Sequence, residues 1–392
     1  MMNKKYKLLS AACEYSKVRI SADKVSLSNY ISTENMVPNR GGVALAESVP
    51  DAKTFLAYIP GNILLSNIRP YFKKIWFADR NGGCSNDVLV LNVKKNTNAR
   101  FLYYVLSDNN FFNYSTVTSK GTKMPRGSKH AIMKYLVPDM DLPTQQRIAD
   151  ILSAYDDLIE NNNKRIALLE KAAQELYKEW FVRFRFPGHE TTRFVNGLPE
   201  GWEVKRMNDF CYVTDGTHDT PKPVDNGVPL ITGRCIKNGY VDFNAAYSIS
   251  FEDHEKIKKR SGLKTGDILL SNIGTVGNTC RVIYDREFSV KNVIIFKPDS
   301  DLISHYLYYL LISQSAQDIF AAQTNGASQQ FVGLTFMRRF KILVPSDDVL
   351  TAFSKKVESL LKHKDNLFAQ NQNLAKQRDL LLPRLMSGKL EV

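Results

Sequence analysis

Long apolar runs are missing from this sequence. No stretch approaches the ~20 uncharged apolar residues that a bilayer requires, so no membrane span is expected. The basic opening Met1-Met2-Asn3-Lys4-Lys5-Tyr6-Lys7 also lacks the apolar segment and small-residue cleavage site of a secretory signal, which makes the cytoplasm the expected location. Cysteine is scarce: Cys13, Cys84, Cys211, Cys235 and Cys280 form no Cys-x-x-Cys pair and read as buried thiols. His130, His189, His218, His254, His305 and His363 lie far apart without metal-ligand spacing, so no metal site is expected. Catalytic signatures are absent too. There is no nucleotide-cradling G-x-x-x-x-G-K-[ST], no G-x-G-x-x-G opening a helix, no H-E-x-x-H, and no Asn/Asp-Pro-Pro-Tyr/Phe of an amino-group methyltransferase. A non-catalytic chain with no cofactor of its own is expected.

Acidic residues are in deficit, 40 against 53 Lys+Arg, and the resulting net charge of +13 points to a polyanionic partner whose counterions the protein would displace. The excess is localised. Residues 1–142 carry 20 Lys+Arg against 10 Asp+Glu, whereas residues 186–346 carry 18 against 17. No run of five or six like charges occurs, so these cations sit on a folded surface and do not form a tail. At 392 residues, 43% apolar and 24% charged, the chain has the composition of two or three globular domains.

The chain repeats itself. Gly61-Asn-Ile-Leu-Leu-Ser-Asn-Ile68 returns as Gly266-Asp-Ile-Leu-Leu-Ser-Asn-Ile273, an offset of 205. Leu102-Tyr-Tyr104 and Leu307-Tyr-Tyr309 match at that offset, as do Gly121 and Gly326, and Leu136-Val-Pro138 returns as Leu343-Val-Pro345. Four matches in order make the chain two copies of one unit. Each copy begins as a mixed globule of short β-type runs, such as Asp87–Val93 and Lys291–Lys297, broken by Gly/Asn/Pro turns and short helical patterns. The predicted layout is α/β (α+β): globules at 1–142 and 186–346, and long helices at 143–185 and 347–392.

Each helical segment carries a stripe in steps of four and three. In the first it runs through Ile148, Leu152, Tyr155, Ile159, Asn162, Ile166, Leu169, Ala173, Leu176 and Trp180. Adding the repeat offset gives Phe353, Val357, Leu360, Lys364, Leu367, Asn371, Leu374, Arg378, Leu381 and Leu385. A helix of about 38 residues is about 57 Å long, too long for one small globule to cover, so the two helices are expected to pack on each other. Duplicated units favour a pseudo-twofold, hence an antiparallel pair. If the axis passes where Asn162 meets Asn371, then Ile148 faces Leu385, Ile159 faces Leu374, Ile166 faces Leu367 and Trp180 faces Phe353. One polar Asn–Asn layer would then fix the register, and Tyr155 would lie near Arg378 for a cation–π contact.

Chemistry suited to DNA concentrates in loops rich in Gly, Asn, Thr, Ser and basic residues. In the first globule these supply Asn67, Arg69, Tyr71, Lys73 and Lys74, then Lys120, Thr122, Lys123, Arg126 and Lys129. In the second they supply Thr217, His218, Thr220 and Lys222, then Arg234 and Lys237, then Asn272, Thr275 and Asn278, and finally Asn325, Ser328, Gln329 and Gln330. Arg and Lys suit phosphates or guanine, Asn and Gln can read adenine, and glycine lets the backbone come close. Any single loop of this kind is equally well a solvated turn; repetition in both units favours function.

Four further stretches carry a family resemblance: Ser66-Asn-Ile-Arg-Pro-Tyr-Phe-Lys-Lys-Ile-Trp-Phe-Ala-Asp79, Glu179-Trp-Phe-Val-Arg-Phe-Arg-Phe-Pro-Gly188, Leu198-Pro-Glu-Gly-Trp202 and Arg378-Asp-Leu-Leu-Leu-Pro-Arg-Leu-Met-Ser-Gly388. In this order, and with the duplicated layout, the chain resembles the specificity subunits of type I restriction-modification systems end to end. The resemblance implies two target-recognition domains, each reading one half of a bipartite asymmetric duplex site, and a coiled coil that sets the unread spacer. It also implies partners: two methyltransferase subunits that bring S-adenosylmethionine and methylate adenine, with restriction/motor subunits joining that core. Recognition domains differ with the sequence they read, so the loop residues above are candidates by chemistry and not by matched position. The competing readings are a tandem RNA- or protein-binding module with a coiled-coil spacer, and an enzyme with an unfamiliar site.

Overall fold

The repeated Gly-x-Ile-Leu-Leu-Ser-Asn-Ile octapeptide builds the same central strand twice in the computed structural model, which describes residues 6–324, 331–390 and 392. Gly61 and Gly266 turn the chain into that strand at φ of 88° and 90°, a left-handed conformation that a side chain would strain. The strands that follow, Ile63–Ser66 and Ile268–Ser271, are fully buried and pair antiparallel with Val88–Val93 and Val293–Lys297. Their registers match at the repeat offset: Leu64 opposite Val90, Leu269 opposite Ile295. Continuous Val/Ile/Leu runs suit strands covered on both faces.

Two compact units result, Met1–Asn163 with Phe368–Val392 and Lys164–Leu367. In the first unit, the strands Cys13–Tyr15, Val88–Val93, Ile63–Ser66 and Ile75–Phe77 form one antiparallel sheet in that spatial order. A second sheet orders Arg19–Ser21, Thr54–Tyr58, Gly82–Cys84 and Tyr30–Ile31, and its last two strands run parallel. The second unit repeats the plan. Tyr212–Asp215, Val293–Lys297, Ile268–Ser271 and Thr279–Arg281 form the first sheet, and Tyr247–Ile249, Val228–Ile231 and Ser289–Val290 the second, again with a parallel pair at its edge. A two-stranded ribbon closes each globule, Tyr6–Leu8 with Leu136–Pro138 and Glu203–Arg206 with Lys341–Val344. Helices Ala99–Ser107 and Asp301–Ile312 carry the repeated Leu-Tyr-Tyr into the cores. The helix Phe251–Ser261 belongs to the second unit, capped by Ser250, whose Oγ accepts the Asp253 N–H at 3.1 Å.

The long helices span Leu142–Tyr177 and Asp347–Met386. Asp141 starts the first by accepting the Thr144 N–H at 2.9 Å, and a π-turn at Lys178–Val182 ends it, burying both Trp180 and Phe181. Each compact unit takes half of each helix, because the antiparallel pairing brings the start of one beside the end of the other. Every seam position is buried or half-buried. In the first unit Ile148 and Leu152 join Leu382 and Leu385 in one core with Phe101 and Leu102. In the second, Trp180 lies 5.9 Å from Phe353, and Ala173, Val357 and Leu361 share their core with Tyr306.

Polar groups punctuate both halves of the seam. Asn162 Nδ2 donates to Asn371 Oδ1 at 3.0 Å, and Asn371 Nδ2 donates to Asn163 Oδ1 at 2.9 Å. Arg378, expected over the Tyr155 ring, makes no such contact. It pairs with Asp156 and Asp379 instead, and Tyr104 Oη donates to the other Asp156 oxygen at 2.6 Å. A carboxylate one position further along offers the guanidinium a charge-assisted partner that outbids a ring face. In the second unit the buried Lys364 ammonium pairs with Glu170 and lies 5.1 Å from the Tyr308 centroid and 5.5 Å from that of Tyr240.

Candidate nucleic-acid interface

Loops leaving the central strands converge on one rim in each unit, and backbone hydrogen bonds hold them there. In the first unit, Arg69 N–H donates to Pro125 O at 2.8 Å and Gly127 N–H to Asn67 O at 2.9 Å, tying loop 66–74 to loop 118–130. Asn39 and Arg40 donate their N–H groups to Phe72 O and Lys73 O at 2.8 and 2.9 Å, adding the turn around Asn39. Arg69 and Lys73 flank the 3-10 turn Pro70–Phe72 at φ of 50° and 53°, an uncommon conformation that the surrounding bonds impose. Tyr71 is exposed, edge to face with Phe72 at 4.8 Å.

The second unit assembles the corresponding rim. Lys291 N–H donates to Ile231 O at 2.8 Å, Thr217 N–H to Val290 O at 3.0 Å, and Val332 N–H to Asn272 O at 3.0 Å. The first two bonds bring loop 215–222 and the turn Gly233–Cys235 together, and Asn278 Nδ2, which donates to Ile236 O, brings loop 271–278 beside that turn. Gly216 is required there: a Cβ would lie 2.1 Å from Val290 O.

Several of the candidate residues are buried or bonded within the fold. Asn67, Thr217 and Asn272 are buried. Asn67 and Asn272 occupy equivalent places in the repeat, each accepting through its backbone carbonyl from the segment opposite. The amines of Lys73 and Lys74 donate to Asn109 Oδ1 at 2.8 Å and Thr33 O at 2.5 Å, and Lys237 pairs with Asp242 at 2.9 Å while staying exposed. Asn278 Nδ2 donates to Ile236 O at 3.1 Å, Thr220 accepts from Lys291, and Arg126 pairs with Asp87 at 3.2 Å while staying exposed. Lys120, Thr122, Lys123, Lys129, Lys222, Arg234 and Thr275 are exposed on these loops, and Arg69 is half-buried. Asn325, Ser328, Gln329 and Gln330 lie outside the described residues.

Sequence reasoning missed three contributors to these rims. Arg40 donates to Asn109 Oδ1 at 2.7 Å beside Lys73, and Arg260 and Asn292 meet Asp215 and His218 in the second unit. The signal for the first was present, since Pro38-Asn-Arg-Gly-Gly42 is a basic turn following the strand equivalent to Val228–Ile231. Arg260 had no counterpart to betray it, because its helix occurs in one unit.

Among the described residues no group of His, Cys, Asp and Glu is placed to hold a metal, and no helix is long and apolar enough to cross a membrane. All five thiols are free and buried, and burial pushes Cys13, Cys84, Cys211 and Cys280 up to about 12.

Two like globules with basic loop rims, joined to antiparallel paired helices, define a tandem recognition protein. A model of the family described as type I restriction modification DNA specificity domain matches residues 29–171 and 199–374, and the chain belongs to that family. The MjaIX specificity subunit of Methanocaldococcus jannaschii is 28% identical over 310 residues, covering 75% of this chain and 69% of that one. The HindI specificity subunit of Haemophilus influenzae is 24% identical over 400 residues, covering 84% and 86%. The crystal structure of a type I restriction-modification S subunit from M. genitalium shares the fold, with a TM-score of 0.57, 15% identity and coverage of 98% of this chain and 97% of that one. The chain is thus a non-catalytic DNA-recognition subunit of a type I restriction-modification complex. The alternative of an RNA- or protein-binding tandem finds no support.

Proposed function

We propose that each globule reads one half of a bipartite, asymmetric site in duplex DNA, and that the helix pair fixes the unread spacer between the halves. The observation that carries this reading is the duplicated rim: in each unit, loops from equivalent strand ends are locked together by backbone bonds and present exposed cations. Locked loops hold donors and acceptors in place before DNA arrives, so binding spends little on ordering them. The seam supports the spacer role, because two modules on flexible linkers would tolerate variable spacing.

In this scheme the chain brings no cofactor. Two methyltransferase subunits dock on the helices and neighbouring surfaces, supply S-adenosylmethionine and methylate adenine in each half-site, and restriction/motor subunits join that core. The assembly works in the cytoplasm, where its DNA lies.

Mapping methylated adenines in cells that carry this chain with its methyltransferase tests the proposal. A gapped two-part motif is expected. Inserting four residues into each helix, about 6 Å at 1.5 Å per residue, should lengthen the preferred spacer by about two base pairs while leaving both half-sites unchanged. A contiguous motif, or an unchanged spacer in a folded insertion variant, would overturn it.

A further inference from the structure

Asp215 ends the strand Tyr212–Asp215 and is 4% exposed. A carboxylate at such a site needs compensation for both of its oxygens. Oδ2 accepts from His218 Nε2 at 2.9 Å, and Oδ1 pairs with Arg260 Nη2. The other ring nitrogen of His218 meets Asn292 Oδ1 at 2.9 Å. The bed beneath is stiff: Gly216 N–H donates to Val293 O at 3.0 Å, and Asn292 N–H donates to Thr217 O at 3.1 Å. Above it the side chains of His218 and Arg260 are each 56% exposed. A buried anion thus holds two exposed donors on the rim, next to Thr220 and Lys291.

We infer that Arg260 is a base-reading residue of the second unit, recognising guanine, and that Asp215 is the positioning residue that aims it. This rests on the proposal that the rim reads DNA. The guanidinium has five N–H donors in a rigid fork, and Asp215 uses one Nη2 hydrogen. Enough of the fork stays free for the paired contact to guanine O6 and N7, the commonest specific contact of arginine in the major groove. Holding a long side chain by a carboxylate reduces the rotamer freedom lost on binding and keeps the fork in one plane. An arginine serving only as a phosphate counterion has no use for a fixed plane.

The test uses the full chain in its methyltransferase complex, by methylated-adenine mapping and by competition binding to duplexes varied one base pair at a time. Arg260→Lys keeps the charge opposite Asp215, so the fold is retained while the fork is lost. Discrimination at one G·C position of the second half-site should fall about 10- to 100-fold, with the first half-site untouched. Asp215→Asn should relax the same position. Because this substitution touches a buried group, a thermal melt accompanies it and Arg260→Lys decides if the protein unfolds. The inference is overturned if Arg260→Ala weakens all duplexes alike and lowers the salt slope by about one, the mark of a phosphate contact. It is also overturned if the motif is unchanged. Arg234→Ala and Thr220→Ala, read in the same assay, separate the two levels: if neither they nor Arg260 variants alter the motif, the rim itself does not read DNA. If they alter it and Arg260→Lys does not, only the assignment of Arg260 fails.

Discussion

The Asn162–Asn371 layer allows a quantitative test of helix register. Asn162 is 1% exposed and Asn371 7%, so neither amide has water to fall back on. Replacing Asn162 with leucine removes the donor to Asn371 Oδ1 and leaves that oxygen buried and unpaired, a cost of about 1–3 kcal/mol that offsets what the new apolar side chain gains. Replacing both removes the unpaired group as well, the Asn163 amide that loses its Asn371 donor is exposed to water, and two buried leucines stabilise by about 1.5–3 kcal/mol each relative to exposure. The single variants should therefore be neutral or destabilised, and the double variant more stable than the parent, with a coupling of roughly 1–3 kcal/mol between the sites. Trp76 is buried in the first unit, and the other tryptophans, Trp180 and Trp202, belong to the second. Urea unfolding followed by fluorescence in a Trp180→Phe/Trp202→Phe background then reports the relevant transition apart from the rest of a chain that need not unfold in one step. Additive single effects, or a double variant weaker than either single, would refute the pairing. The gain in stability should come with a broader spacer preference, because a polar layer is what penalises a slipped register.

Lys364→Met should destabilise the second unit by about 3 kcal/mol, by leaving Glu170 uncompensated, while Lys364→Met with Glu170→Met returns to near the parent value; denaturant midpoints check both. His305 is buried with Nδ1 2.7 Å from Ser354 Oγ, and burial, aided by Arg281, holds its pKa down to about 4 from the ordinary 6.5. The unfolded chain therefore takes up the proton first. Stability is full above about pH 6.5 and is lost by roughly 3 kcal/mol as pH falls towards 4, a slope that His305→Asn should flatten in pH-dependent melts. The surplus of cations in residues 1–142 predicts that scrambling the second half-site, which leaves the first to carry binding, gives the steeper dependence of affinity on salt. Equal slopes for the two scrambled duplexes would contradict this.

The legible parts of this molecule are those where one physical rule acts alone. The octapeptide repeat fixes a glycine turn and a doubly covered strand, and the four-three spacing fixes the seam, because a side chain on a long helix has one face to occupy. Asn162 opposite Asn371 follows from symmetry applied to that spacing. Sequence marks these loops but not which of their side chains other segments engage, since that depends on contacts distant in the chain. Lys73 and Lys74 look in sequence like solvated cations, yet each donates to an oxygen of a distant segment, Asn109 Oδ1 and Thr33 O. Arg378 shows the same limit within the seam: the spacing places it, but whether it meets a ring or a carboxylate turns on Asp156, one residue away from the position symmetry selects. Arg260 lay beyond sequence reasoning altogether, because its partner Asp215 is 45 residues away and nothing local marks either as half of a pair.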